Sequence, residues 1–329
     1  MPINLHQLRV FAAAVRHDGI GAAARALGMS QPAVSRAVAE LERDLGVQLL
    51  ERSTSGVHAT PVGLELFEHA QAVAAAERGA DEAMAAARGL TSGTLHIGAS
   101  TTIATYVLPP LIGAFARDHP GIDLRLSSVH TRVLVPLVRN YEVDVAFAEA
   151  PVADPRVTVT RWITDDMVVV AAPTHPLAQR AVAKGAVEPA ALDEELLILR
   201  EPESGTRDLV LHGLTAGGVV PTRTMSADGT EVIKRLVAEG VGIAVVSRVT
   251  VAEQVALGRL TVVPVRGLRI TRPFNRLSTA RRRPSAAARA FLELLADEAH
   301  RRDAGDTAGE DVAPRRRRAP ARKSAAKGR

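Results

Sequence analysis

The chain has 329 residues, 47% of them apolar, and contains no cysteine. That length allows two or three domains with their own cores, and the missing thiols exclude disulfide staples, thiolate metal sites and cysteine nucleophiles. The net charge is +5, but ten Lys or Arg against four acids in residues 301–329 leave the other 300 residues at −1.

The first element is a helix carrying Leu5, Leu8 and Phe11. A short helix through A-A-R-A-L follows and stops at Gly28. The next helix opens on S-Q-P-A-V-S-R, with Ser30 as N-cap and Pro32 in the first turn, where a missing N–H costs little. Val34, Val38, Leu41 and Leu45 form its inward stripe, leaving Gln31, Ser35 and Arg36 exposed. Two helices across a Gly turn, with a polar tip on the second, are the parts of a helix-turn-helix DNA reader. The six arginines of the first sixty residues face five acids, so placement and not bulk charge must supply affinity.

Thr60 and Pro61 start a long Ala-rich helix reaching about Arg88. Leu66, Ala70, Val73, Glu77, Ala80, Met84 and Ala87 make a heptad seam on it, which predicts pairing with a second helix, the alternative being packing on its own domain. After Gly89–Gly93 the pattern changes. Strands are predicted at 94–98, 122–127, 144–148, 167–171, 196–199, 242–246 and 260–265, with a return beginning at 277–280. Helices are predicted at 106–116, 131–140, 190–194, 205–215, 231–239 and 285–301. Strand and helix in alternation give an α/β unit with a parallel sheet flanked by helices.

The combination of A-A-x-x-L, S-Q-P-A-V-S, L-E-x-x-L-G and T-P-x-G over the first sixty residues closely resembles the N-terminal domain of LysR-type transcriptional regulators. Asp18-Gly19-Ile20-Gly21 departs from that family's usual Gly-Ser pair and capping Ser or Thr. Ser53 to Gly56 replace the basic residues common in its wing. L-P-P-L-I at Leu108, H-P-G-I at His119, V-D-V-A at Val143, H-P-L-A at His175, R-E-P-E-S-G-T-R at Arg200 and V-A-E-G-V-G-I-A at Val237 resemble the family's effector domain. Within the family the likeness is to regulators of carbon fixation and sulfur assimilation, although Glu203 stands where that group more often has Gly.

The resemblance implies a winged helix-turn-helix over 1–60, a linker dimerisation helix over 61–90 and a disordered basic tail over 301–329. It implies a two-lobed α/β effector domain over 91–300, like periplasmic binding proteins. Lobe I would be 91–162 with 267–300, and lobe II 163–266, hinged near Ile163 and Arg266. The DNA contacts implied are Ser30, Gln31, Pro32, Ala33, Ser35, Arg36, Arg52, Ser53 and Thr60. Ser100, Thr101 and Thr102 follow a strand and lead into a helix N-terminus, a place for an anion or carboxylate. With Thr131, Ser204 and Thr230 they are expected, under the family fold, to converge on one crevice that takes a small, anionic effector, with Arg207 either reaching the ligand or held in an intra-domain ion pair.

Expected partners are double-stranded DNA, the effector and a second copy or a tetramer of the chain, with RNA polymerase as a further candidate. No membrane, metal or cofactor is expected, and localisation is expected to be cytoplasmic, since no leader or apolar span is visible. Catalysis is not expected, because no G-x-S-x-G, Walker loop, H-E-x-x-H or G-x-G-x-x-G is present. Asp165 and Asp166 precede a buried strand and are expected to orient the hinge instead of doing acid/base work. The tail cannot bury a core; it is either an inert solvated segment or a source of non-specific phosphate contacts.

Overall fold

The computed structural model describes residues 3–53, 56–86, 93–279 and 284–296. The predicted break at 89–92, the seam position Ala87 and the tail lie outside the described residues.

Three helices come first: α1 (Leu5–Arg16), α2 (Ile20–Leu27) and α3 (Gln31–Leu45). Asn4 caps α1 by accepting from His6 N and Gln7 N. Gly28 ends α2 at φ 64°, a left-handed turn that glycine adopts without steric cost. Phe11, Ala14, Val34, Val38, Leu41 and Leu49 form the core between them. Glu42 on α3 accepts from Leu49 N and Leu50 N at 2.8 and 3.0 Å, so α3 itself positions the wing. The wing is the antiparallel pair β1 (Leu50–Ser53) and β2 (Gly56–Ala59).

Helix α4 (Pro61–Ala86) departs from the predicted seam. Leu66, Ala70 and Val73 pack into the core of the three-helix N-terminal head, and Glu77 pairs with Arg9 on α1. The first half of the seam therefore serves its own domain, because α1 lies alongside and offers an apolar face. Ala80 and Met84 remain exposed, as do Val62 and Leu64 in the first turn.

Beyond residue 92 the strands β3 (Gly93–Ala99), β4 (Ile122–Ser128) and β5 (Val145–Ala148) are parallel. Residues 101–107, α5 (Leu108–Asp118) and α6 (Thr131–Arg139) provide their helical connections. The helix predicted at 106–116 is interrupted at its start by a wide π turn, Ile103–Val107. Pro109 and Pro110 follow and have no N–H to donate to the carbonyls four residues back.

The strand predicted at 167–171 is the end of the long β6 (Thr158–Ala171). The remaining elements are α7 (Pro176–Lys184), a 3₁₀ turn (Pro189–Leu192), β7 (Leu196–Leu199), α8 (Gly205–Ala216), β8 (Arg223–Ser226) and α9 (Thr230–Ala238). After them come β9 (Ala244–Ser247), α10 (Arg248–Ala256), β10 (Thr261–Val262) and β11 (Ile270–Ser278). Residues 286–296 form α11. Helices α7 and α10 and strand β8 are absent from the sequence reading. His175 caps α7 by accepting from Leu177 N.

The return strand starts at Ile270, seven residues before the predicted position, because Arg272 and Pro273 disguise it. Arg272 is buried by an ion pair, and Pro273 lies where β11 has no β5 partner and needs no N–H. β11 runs antiparallel to β6 from Ile270↔Met167 to Ser278↔Thr158. Ile163 therefore sits inside a continuous paired strand, opposite Phe274. One core gathers around Ile97, Phe115, Phe147 and Phe291, and another around Val169, Leu177, Leu199 and Leu214. β6 and β11 cross between them.

Candidate functional site

At the tip of α3, Gln31, Pro32 and Arg36 are exposed, and Ala33 and Ser35 are partly so. Ser30 caps the helix by accepting from Ala33 N at 3.3 Å. The arrangement presents an amide, a hydroxyl and a guanidinium from one helix face, groups that suit base edges and phosphates in a major groove. Arg52 and Ser53 belong to β1, and their side chains lie outside those described. Thr60 is corrected: it is buried, and its hydroxyl donates to Gln48 O at 2.8 Å and accepts from Gly63 N at 3.0 Å. It is a helix cap whose bonding is complete within the domain, leaving nothing for DNA.

The expected crevice resolves into two cavities. Ser100, Thr101, Thr131 and Ser204 line an open cleft of about 870 Å³, together with Glu149, Arg200 and Glu203. Thr102, Arg207 and Thr230 line a second, smaller cavity of about 20 Å³, roughly the space of one water. Arg200 and Thr206 border both. The prediction that Thr102 shares the main cleft is thus corrected. Thr102 is buried, and its hydroxyl accepts from Arg272 Nη2 at 3.5 Å. Arg207 forms hydrogen bonds to Arg200 O and the Ser226 hydroxyl at 2.8 and 3.0 Å.

Helix N-termini face the open cleft from both sides. Ser100 occupies the capping position of the helix after β3, with Ala104 N donating to its carbonyl. His130 and Ser204 are the N-caps of α6 and α8, and neither makes a side-chain capping bond. Their N–H groups supply partial positive charge that an anion can use.

Arg272 at the crossover is the residue that sequence reasoning missed. It is 4% exposed and donates to Asp165 at 2.8 Å and to Thr206 at 2.9 Å, while Glu149 lies 3.5 Å away. Asp165 also accepts from the Ser247 hydroxyl at 2.6 Å. Burial pushes the Asp165 carboxyl above its ordinary value, against the pull of Arg272 and Ser247. Of the two neighbouring acids expected at the hinge, Asp165 and Asp166, only Asp165 holds this interior position. No local signal marks the pair, since its members are 107 residues apart.

A second bridge joins the lobes one helical turn further along. Tyr106 donates to Glu231, and Lys234 donates to Glu231 at 2.6 Å and to Thr250 O at 2.7 Å. The Lys234 ammonium lies 4.9 Å from the Tyr106 ring centroid. Burial, and then Glu231, push the Tyr106 hydroxyl above its ordinary range.

The Arg200 guanidinium grips Glu201 through two bonds of 2.7 and 2.5 Å and holds its carboxyl at about 2. A folded-state value below the ordinary 4.5 stabilises the fold above pH 4.5, and this contribution disappears as pH falls toward 2. The stability difference between wild type and Glu201→Gln is expected to narrow across that window in denaturation at stepped pH. A pH-independent difference would show that the pair contributes nothing.

Residues 5–64 match the family described as "Bacterial regulatory helix-turn-helix protein, lysR family", and residues 88–300 match "LysR substrate binding domain". The chain belongs to the LysR family of transcriptional regulators. A RuBisCO operon transcriptional regulator of Allochromatium vinosum is 33% identical over 301 residues, covering 92% of this chain and 98% of its own. This places the likeness on the carbon-fixation side of the family. A full-length OxyR variant from Pseudomonas aeruginosa superposes with a TM-score of 0.71 at 27% identity, covering 91% of this chain and 95% of that one. The CcmR regulatory domain of Synechocystis PCC6803, solved in complex with 2-PG, gives 0.56 at 28% identity over 63% of this chain and 98% of that one. This LysR-family chain is a transcriptional regulator with a DNA-binding head and an effector-binding domain. No helix among the described residues is long and apolar enough to cross a membrane.

Proposed function

We propose that a small anionic metabolite in the open cleft controls sequence-specific DNA binding, or activation, by this regulator. The carrying observation is the convergence of uncapped helix N-termini and the Ser100, Thr101 and Thr131 hydroxyls on one cleft between two packed cores. The 2-PG complex of the CcmR regulatory domain supports the same chemistry. Domain limits are those of the sequence reading, with β6 and β11 as paired crossovers instead of point hinges at Ile163 and Arg266.

The path to the head runs through α4. Arg156 pairs with Glu68 on that helix, and Arg78 donates to Tyr141 O at 3.3 Å. A change in lobe closure that shifts Tyr141 or Arg156 would turn α4 and the head attached to it. Val62, Ala80 and Met84, which share one side of α4 by helical spacing, are exposed positions offered for helix pairing in a homodimer or homotetramer. Such pairing would set two α3 tips on one operator, with RNA polymerase engaged where the output is activation. The cytoplasm is the compartment that this function requires.

The recognition helix carries a direct test. Arg36→Ala is expected to weaken operator binding by on the order of 1–3 kcal/mol and to relax preference at one base position. Equal affinities of variant and wild type for both operator and random DNA would remove Arg36 from base reading. The cleft has its own test. Thr131→Ala is expected to abolish an effector-linked change in DNA affinity of about 1–3 kcal/mol while effector-free binding stays intact. Loss of effector-free binding would instead assign Thr131 a structural role.

A further inference from the structure

The end of the cleft holds two buried polar groups whose bonding the protein leaves incomplete. Ser100 is 2% exposed, and its hydroxyl has no hydrogen-bond partner among the described residues. Glu149 has a side chain 13% exposed, and its Oε2 is likewise buried without a hydrogen bond. That oxygen is 3.5 Å from Arg272 Nη2, an ion pair lacking hydrogen-bond geometry. Both residues line the open cleft. They leave the same end of the sheet on adjacent strands, since β3 pairs with β5 at Ala99↔Phe147 and Ser100 N donates to Phe147 O.

The two groups have different needs. A serine hydroxyl can donate to an anion, and at a helix N-terminus it acts together with the free N–H groups. A carboxylate oxygen can only accept, so Glu149 is completed by a hydroxyl or an amine and is opposed by a second anion. An unmade bond to a buried carboxylate oxygen is costly. The wider cleft reinforces the discrimination. Arg200 is held by Glu201, while Glu203 and Asp154 bring further negative charge to the lining. Among the described residues of the lining, a bare anion meets no free guanidinium except that of exposed Arg132.

We propose that Glu149 is a specificity-determining residue that selects effectors carrying a hydroxyl or amino donor beside their anionic group. This rests on the cleft reading above. Ser100 and the helix N-termini take the anion, and Glu149 Oε2 takes the adjacent donor. The ligand class is hydroxy acids, amino acids and hydroxylated phosphates, and bare carboxylates or phosphates of the same size are disfavoured.

The test uses the full chain and two matched probe pairs, lactate against propionate and 2-phosphoglycerate against 2-phosphoglycolate, in calorimetric titrations. Each pair differs by a single hydroxyl or hydroxymethyl group. The donor-bearing member of at least one pair is expected to bind tighter by about tenfold or more. Glu149→Ala is expected to erase that preference while the bare member binds as before or better. Equal affinities within the pairs, or a preference for the bare members, would overturn the role of Glu149 and leave the anion cleft standing, provided that Thr131→Ala removes the binding. Absence of binding by all four probes would overturn both. Since the wild-type pairs are informative by themselves, a variant that fails to fold does not shelter the proposal.

Discussion

Arg272→Ala is expected to destabilise the effector domain by about 3–5 kcal/mol, the cost of leaving a buried charge without its partner. Asp165 is 3% exposed, and Arg272 is its guanidinium partner, at 2.8 Å. Thr206 and Thr102 lose a donor in the same variant. The loss should shrink in acid. Burial already raises the Asp165 carboxyl, and removing Arg272 raises it further, so protonation relieves the orphaned charge as pH falls. The sign follows from linkage: a raised folded-state value favours the fold below the ordinary 3.8, and this advantage is lost as pH rises through the raised value. Urea denaturation at neutral and mildly acidic pH measures both effects. A loss below about 1 kcal/mol at neutral pH would mean that water or local rearrangement replaces the pair. The combined Arg272→Met and Asp165→Leu variant should recover much of the stability while losing the connection between Thr102 and Thr206.

Gly63→Ala should be nearly as damaging, and to the other domain. A Cβ at Gly63 would stand 2.1 Å from Leu49 O, a backbone atom that cannot rotate away. That carbonyl already accepts from Thr60 N at 2.9 Å, so the first turn of α4 is fastened to the chain just ahead of the wing. Relieving the clash requires separating α4 from the head, at about 3 kcal/mol or more. DNA binding should fall while effector binding persists. Gly79→Ala is the control, because nothing lies within 4 Å of its Cβ and helix propensity alone predicts a gain of up to about 1 kcal/mol. Equal behaviour of the two variants would mean that the close approach at Leu49 is not required.

The DNA-reading head is legible in the sequence because its information is local. Ser30, Pro32 and Gly28 act on their own turns, and Val34, Val38 and Leu41 declare one helix face by spacing alone. Strands β3, β4, β5 and β7 are legible for the same reason, as short apolar runs between turn residues. β11 is hidden because charge is read as exposure, and Arg272 is charged and buried. The seam on α4 is visible as a pattern, but a heptad spacing does not say which surface will cover it. Here α1 and the head core cover its first half.

What the sequence by itself determined is the order of the head helices and of β3 to β5 with their connecting helices, the polar tip of α3 and the hydroxyls at the ends of β3 and before α8. Each follows from backbone preferences and side-chain periodicity within a few turns. What only the tertiary structure decided is which groups share a space. Thr102 and Thr131 fall in separate cavities, Thr60 turns inward, and Asp165 meets Arg272 across the crossover. The physical reason is that burial and pairing are properties of the packed chain. A hydroxyl or charge near a strand end can face solvent, ligand or core at the same local cost, and contacts from distant segments make the choice.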